Sequence, residues 1–465
     1  MCVCAHSATV PSYPNPDAKI RSTSFTVQHG GNAGNVAICA ARLTRAGTQD
    51  AVGTETRAKR VVLGSAIADD ATGKEMKDAF EDEGVETSFK VDTTPGVASP
   101  FTYIIVDEET GSRTCIHTAG PKLNCDDDDA EQLDETAAAM RRAEFCFFDG
   151  RHTEAAIAIA SCIGAGTTAL KKKKKKKKMK KKKSRESGGG ERDEDRPFVV
   201  VEAERVRDNL SSLLSCADGV VTSTTYPTDA TGEDCLGDAM EVMMLEHVPN
   251  ARWLITTLGG EGSVAVERCS RTTCSSCDDD DGDDESDESD HETAPFVSLH
   301  DEIEELRLSL CHAHEHAGWS CNDHGDIKTI DNTGSLLTNG GLYTNAGDFI
   351  SAAPVVSSSR PFRLHRHSKQ TCAAGYVAPR FLVHYAAAAS LPSSCAVLDT
   401  TGAGDAYIGA LLTWLLHEAR HRTHHDDDDS RHGSGLCVGM AFAAVVAAAN
   451  CTSLGARQGL PVLSF

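Results

Sequence analysis

Short apolar runs and helical patterns alternate along much of this chain. Phe145 to Asp149 (FCFFD), Phe198 to Val201 (FVVV), Gly219 to Thr222 (GVVT) and Trp253 to Thr256 (WLIT) have almost no polar positions, which predicts strands buried on both faces. Glu154 to Cys162 and Glu204 to Leu214 read as helices between them. Another helix is predicted after Gly30 to Asn35, where Val36, Ala40 and Leu43 fall on one face and Gly47 is placed to end it. Buried strands alternating with helices imply an α/β fold, a doubly wound and mostly parallel sheet with helices on both faces. Ligands in such folds bind beyond the carboxyl ends of the strands, at strand-to-helix turns.

Three stretches break this pattern. Lys171 to Lys183 is lysine except for Met179, and the polar run after it extends to about 196. A second stretch covers about 268–392, acidic first and then rich in Ser, His and Gly, and a third covers about 420–434. Self-repelling or low-complexity segments have no apolar face to bury, so all three read as disordered inserts in one large domain of 465 residues. A nuclear-localisation or anionic-partner role for the lysine block is the sharper alternative to a solvated loop. The net charge of -23 lies largely in acidic runs and argues against nucleic acid or anionic membrane as partners. No secretory leader or bilayer-length apolar run is evident. Many of the eighteen cysteines fall inside apolar patterns, among them Cys39, Cys146, Cys437 and Cys451. There a reduced thiol behaves as a small hydrophobe, which points to the cytoplasm, with a plastid or other organelle left open.

Chemistry concentrates in two glycine-rich turns. Asp399 to Asp405 reads DTTGAGD, preceded by apolar Ala396 to Leu398 and followed by a helical run, hence strand, turn, helix. Gly402, Ala403 and Gly404 can bring backbone amides to a ligand at a helix amino terminus, where the dipole favours negative charge. A phosphoryl group in transit carries such charge. Asp405, in the first turn, could take the proton of an attacking hydroxyl. For an isolated copy, a helix-capping Asp would be the better reading. Upstream, Gly30 to Asn35 reads GGNAGN; Asn32 and Asn35, three apart, share one side of a first turn and can meet sugar hydroxyls. Simple capping by Asn is again the plainer alternative. Thr257 to Ser263 (TLGGEGS) follows a predicted strand and could set backbone against nucleotide phosphates, a weak signal by itself.

Together GGNAGN and DTTGAGD resemble the two signature regions of the PfkB, ribokinase-like carbohydrate kinases. The segments SYPNPDAKIRSTSF, SPFTYIIVDEETGSRTCIHTAGP, FDGRHTEAAIAIA, VEAERVRDNLSSLL, TLGGEGSVAVE and AAANCTSLGARQGLP are similar to the ketohexokinase-like, plant-type branch. The resemblance implies a small β-sheet lid from about 11–28 and 96–118, a homodimer paired through it, and ATP-dependent phosphorylation of a small sugar with Mg2+, a ketose such as fructose leading. Ribose or a nucleoside as acceptor, or a non-catalytic scaffold of the same fold, stay open. By matching position Asp17, Asn32 and Asn35 would contact the sugar. Arg113, Gly259, Gly262, Thr401, Asn450 and Gly455 would lie near ATP, and Asp405 would be the base. Two departures stand out. The family's first strand and its terminal sugar-gripping Asp are missing from Met1 to Val10, that position falling at about Ala5. The NxxE motif of many relatives is replaced by TSTTYPTD.

Cys269, Cys274 and Cys277, with Cys311, His312, His314, His316, Cys321 and His324, have zinc-ligand chemistry but no standard spacing, and a disordered insert is the plainer reading. His421, His424 and His425 read as an exposed loop.

Overall fold

The computed structural model describes residues 2–45, 60–110, 112–123, 130–164, 196–269, 296–316, 341–343, 349–351, 355–359, 361–364, 379–393, 395–421, 435–453 and 455–461. The chain opens with β1 (Val3–Val10), β2 (Ser24–Gly30) and α1 (Asn32–Arg45). The parallel pair β3 (Val61–Ala68) and β4 (Val85–Asp92) flanks α2 (Ala71–Asp82), and β5 (Phe101–Asp107) and β6 (Arg113–Thr118) form a hairpin. Then come α3 (Ala130–Met140), β7 (Phe145–Phe148), α4 (Thr153–Gly164), β8 (Phe198–Ala203), α5 (Leu210–Leu214), β9 (Gly219–Thr222), α6 (Tyr226–Thr231), α7 (Leu236–Val242), β10 (Trp253–Thr257) and β11 (Ser263–Arg268). The remainder holds β12 (Phe296–Val297), α8 (Leu299–His316), β13 (Gly341–Tyr343), β14 (Phe349–Ser351), β15 (Val355–Ser357), β16 (Arg363–Leu364), β17 (Phe381–Ala386), α9 (Ala403–His421) and α10 (Gly435–Asn450).

The main sheet has seven strands in the order β15-β17-β11-β10-β9-β8-β7. Strands β7 to β10 run parallel, and β11, β17 and β15 add antiparallel edges. The strands are apolar throughout because both faces are covered. Val200, Val221, Ile255 and Ala265 pack toward α1, α9 and α10. Val199, Val201, Val220 and Leu254 pack toward α4, α5, α7 and α8. Burial of these side chains, at about 25 cal/mol per Å² of apolar surface, is the dominant favourable contribution to such a core. The result is a doubly wound α/β sheet with helices on both faces.

Four sequence expectations change. Residues 268–392 are not wholly an insert, since β15 and β17 are strands of the main sheet and β17 pairs with β11 along its whole length. The amino-terminal segment is not strandless. Val3–Val10 forms a strand, but it lies between β2 and β5 in a four-stranded sheet of order β2-β1-β5-β6, which begins earlier than residue 11. Glu204 to Asn209 is not helical; the helix starts at Leu210 behind Asn209, whose φ is 63°. Ala396 to Leu398 makes no strand, Val397 and Leu398 being largely exposed and the chain held by the Leu398 N–H donating to the Cys451 carbonyl at 2.9 Å. The lysine block, the acidic runs, the loop at 422–434, and Gly47 lie outside the described residues, as do Cys274, Cys277, Cys321 and His324 of the zinc-like set.

The pair β3–β4 stands apart from the seven-stranded sheet. A cavity of about 880 Å³ separates β3 from β7, lined by Val61, Leu63, Phe145, Phe147, Ala37 and Ala139. Among the described residues, β3 pairs only with β4, and β7 only with β8.

Candidate active site

Helices α1 and α9 cross closely enough to bring the two glycine-rich turns together. Gly409 lies one turn beyond Asp405, and a Cβ there would fall 2.9 Å from the Val36 carbonyl and 2.7 Å from Cys39 Cβ. Only glycine permits that approach. The Cys39 thiol donates to the Ala406 carbonyl at 3.4 Å across the same contact. The result is a hydrogen bond from Asn35 Nδ2 to Asp405 Oδ2 at 2.7 Å, with both residues buried.

Asp405 does not stand alone. Asn32 Nδ2 donates to Glu202 Oε2 at 3.3 Å, and the Ala33 N–H donates to Asp149 Oδ2 at 3.4 Å. Asp149 follows β7, and Glu202 and Glu204 lie at the carboxyl end of β8, so four carboxylates gather where the parallel strands end. Burial pushes the Asp405 carboxyl up to about 7, the charges of Asp149 and Glu204 adding to the effect against Asn35 and Arg151. Burial also raises Glu202 well above the usual carboxylate range, with Asp405 and Asp149 contributing. Burial opposes ionisation of Asp149 too, but nearby positive charge, Arg151 included, holds it below its ordinary value. Arg151 pairs with Glu204 at 2.9 Å, and Arg207 with the same carboxylate at 3.3 Å. A carboxylate titrating near neutrality beside an amide donor is suited to accept a proton in turnover.

The turn before α9 is braced from three sides. Asp399 Oδ1 accepts from the Thr401 N–H at 2.8 Å and its hydroxyl at 2.6 Å, while Oδ2 accepts from the Gly455 N–H at 2.8 Å. Buried Asn450 donates Nδ2 to the Thr401 carbonyl at 3.0 Å. Gly402 has φ 72°, and a Cβ there would fall 2.6 Å from the Ala456 carbonyl, so no other residue fits. A Cβ on Gly404 would meet nothing within 4 Å, leaving room above the helix amino terminus. Arg113 from β6 reaches this turn, donating to Asp399 at 3.1 Å and to the Thr401 hydroxyl. Gly259 and Gly262 form the tight turn between β10 and β11, where the Leu258 N–H donates to the Gly262 carbonyl at 2.7 Å.

The structure thus joins Asn32, Asn35 and Asp405 in one group, and Arg113, Thr401, Gly402, Asn450 and Gly455 around one turn. Asp17 is separate: it lies exposed between β1 and β2 with φ 65° and has no hydrogen bond to the Asn and Asp group. Ala5 lies within β1, paired with Gln28 and Thr102, where the family pattern has its Asp. Sequence reasoning missed Asp149, Glu202, Glu204 and Arg151 as site residues. Their signal was a carboxylate placed directly after a buried apolar strand, in FFDGR and VVVEAE.

A family model described as pfkB family carbohydrate kinase matches residues 2–280, more than half of the chain. No curated protein matches. Among solved structures, ribokinase from Giardia lamblia superposes with TM-score 0.54 at 14% identity, covering 99% of this chain and 94% of that one. Arabidopsis thaliana ribokinase complexed with ribose and ATP gives 0.50 at 13% identity, covering 99% and 93%. Such identities speak to the fold; the family match speaks to descent. No helix among the described residues is long and apolar enough to cross a membrane. The chain belongs to the pfkB family of carbohydrate kinases.

Proposed function

We propose that this kinase transfers the γ-phosphoryl group of ATP to a hydroxyl of a small sugar, with Asp405 as general base. The observation that carries this reading is the buried Asn35–Asp405 hydrogen bond beneath the glycine turn. Asn35 orients the carboxylate. Asp405 takes the hydroxyl proton as the new P–O bond forms. The amides of Gly402 to Gly404 and the Arg113 guanidinium meet the charge on the transferring group. Asn32 and Asn35 line the sugar side; the family resemblance assigns Asp17 to the same sugar, although it lies apart from them on the β1–β2 connection. Gly259, Gly262, Thr401, Asn450 and Gly455 border the nucleotide.

Among the described residues, no three His, Cys, Asp or Glu side chains converge as a metal cage. Asp149, Glu202 and Glu204 are the carboxylates that would hold a magnesium ion brought in with the nucleotide, and the ion would supply neutralisation of phosphate charge.

The acceptor class follows from the resemblance to the ketohexokinase-like branch, which favours a ketose such as fructose. The β1-β2-β5-β6 sheet would act as lid and dimer surface. His6, Val27, Tyr103 and Ile116 form one cross-strand row on one face, with Phe25 beside it. The hydrophobic members of this set are 46–57% exposed, a continuous apolar surface of the kind that pairs with a second copy. Arg113 and Gln28 occupy the opposite face, toward the anion turn. ATP turnover with magnesium against fructose, ribose, other sugars and nucleosides, with Asp405→Asn as control, tests the reading. Turnover with fructose above the control supports it in full. A preference for ribose or a nucleoside overturns the ketose assignment, and wild-type activity in the control overturns the base.

A further inference from the structure

Of the twelve cysteines whose side chains are described, five are buried and serve as small core residues. Cys39 and Cys146 are buried, and burial pushes the Cys146 thiol up to about 12 and Cys39 higher still. Cys437 differs. It is the third residue of α10, half-buried, with its Sγ 3.0 Å from Nδ1 of His384 on β17. Nε2 of the same imidazole lies 3.1 Å from Glu267 Oε2 on β11. The Ser357 hydroxyl on β15 is 2.8 Å from Nδ1 and 3.3 Å from Sγ. Four elements therefore converge on one thiol.

The arrangement has the parts that create a thiolate. An imidazolium donating from Nδ1 to sulfur and from Nε2 to Glu267 satisfies both ring N–H groups within a residue that is 1% exposed. Burial alone would disfavour that cation, but Cys437 and Glu267 outweigh it and move His384 up to about 10. These two are the ionisable groups acting on the ring; β15 contributes only the neutral Ser357. A place in the first turn of α10 adds the positive end of the helix dipole.

We propose that Cys437 is a nucleophilic thiolate and a site of reversible oxidation by hydroperoxides. The sulfur attacks the peroxide oxygen, an S–O bond forms and the O–O bond breaks, and sulfur loses two electrons to the departing oxygen. The leaving alkoxide or hydroxide takes the Nδ1 proton of His384, so the products are sulfenic acid, neutral imidazole and an alcohol or water. A small thiol then condenses with the sulfenic acid, releasing water and leaving a mixed disulfide. The opposite end of α10 carries Asn450, which holds the anion turn.

The test is limited iodoacetamide labelling of the intact protein with peptide mass mapping, using exposed Cys115 as internal reference. Cys437 is expected to label at least tenfold faster than Cys115 at pH 6.5, at a rate nearly flat from pH 6 to 8. Glu267→Gln and Ser357→Ala are expected to slow it severalfold, and near-stoichiometric hydrogen peroxide followed by dimedone to tag Cys437 ahead of Cys115. Labelling no faster than Cys115, or a rate rising tenfold per pH unit through pH 8, overturns the proposal. So does a dimedone adduct on Cys115 with none on Cys437.

Discussion

Asn35 and Asp405 lie 370 positions apart, yet the amide of one donates to the carboxylate of the other at 2.7 Å. The bond favours the ionised carboxylate, while burial and the charges of Asp149 and Glu204 favour the protonated one. Asp405 is left near 7 instead of 3.8. A base must be ionised to act, so kcat/KM is expected to rise with pH through a midpoint near 7 and then level. Asp405→Asn should lower kcat by about 10²- to 10⁴-fold, the span general-base catalysis supplies. Stability moves the other way. The folded state holds a proton that the unfolded state has lost between about pH 4 and 7, so the native carboxyl costs stability increasingly as pH rises across that window. The melting temperature of Asp405→Asn should therefore exceed that of wild type more at pH 8 than at pH 5. Equal differences at the two values would show that Asp405 is not the raised group.

Removing the amide donor gives a separate signature. Asn35→Ala leaves Asp405 buried without its favourable hydrogen bond, so the carboxyl titrates higher. The acidic limb of kcat/KM should shift up by a fraction of a pH unit or more, in addition to any loss of sugar affinity. A loss of affinity with an unmoved pH profile would assign Asn35 to substrate alone.

Asp399 organises the turn without facing the reaction. It accepts from Thr401 and Gly455 and pairs with Arg113, so it links β6 to the glycine turn before α9. Asp399→Ala should raise KM for ATP about tenfold or more, because three polar groups lose their partner. Asp405→Asn should instead act mainly on kcat. Steady-state kinetics in ATP at saturating sugar separates the two.

Much of this site was legible because its parts are local. GGNAGN and DTTGAGD each combine a turn and a helix start, and their residues occupy the places those patterns imply. Asp149 and Glu202 were harder to read, since a carboxylate after an apolar strand resembles ordinary strand termination until the sheet aligns the strand ends. Strand β17 (FLVHYA) was concealed by its surroundings. Its neighbours are compositionally biased, yet its own apolar run pairs with β11 residue by residue. Conversely Ala396 to Leu398 looked like a strand on apolarity alone, but has no sheet edge beside it and stays exposed. Composition judged whole segments; pairing partners decided single strands.

The exposed apolar row of the β2-β1-β5-β6 sheet makes a prediction about assembly. Tyr103 sits centrally in the row with His6, Val27 and Ile116, with its ring 5.4 Å from that of His6. Tyr103→Glu would place a charge in any interface built on that row, which costs far more than a charge left in water. Wild type is expected to sediment as a dimer and Tyr103→Glu as a monomer. A wild-type monomer at tens of micromolar would remove this sheet from the list of interfaces.

The cavity between β3 and β7 makes a prediction about local stability. Strands β9 and β10 have neighbours on both sides, whereas among the described residues β7 is paired only with β8 and β3 only with β4. Among the described residues, amides on the cavity side of β7 and β3 have no strand partner, and α1 and α3 line the same cavity. Local opening should therefore require less free energy at these two strands than at the sheet centre. Hydrogen exchange followed by mass spectrometry is expected to show peptides spanning 61–68 and 145–148 exchanging at least tenfold faster than those spanning 219–222 and 253–257. Equal protection would mean that the two edges are closed in solution, with the cavity collapsed or filled, and that β3–β4 is held to the main sheet as firmly as its own central strands are held to one another.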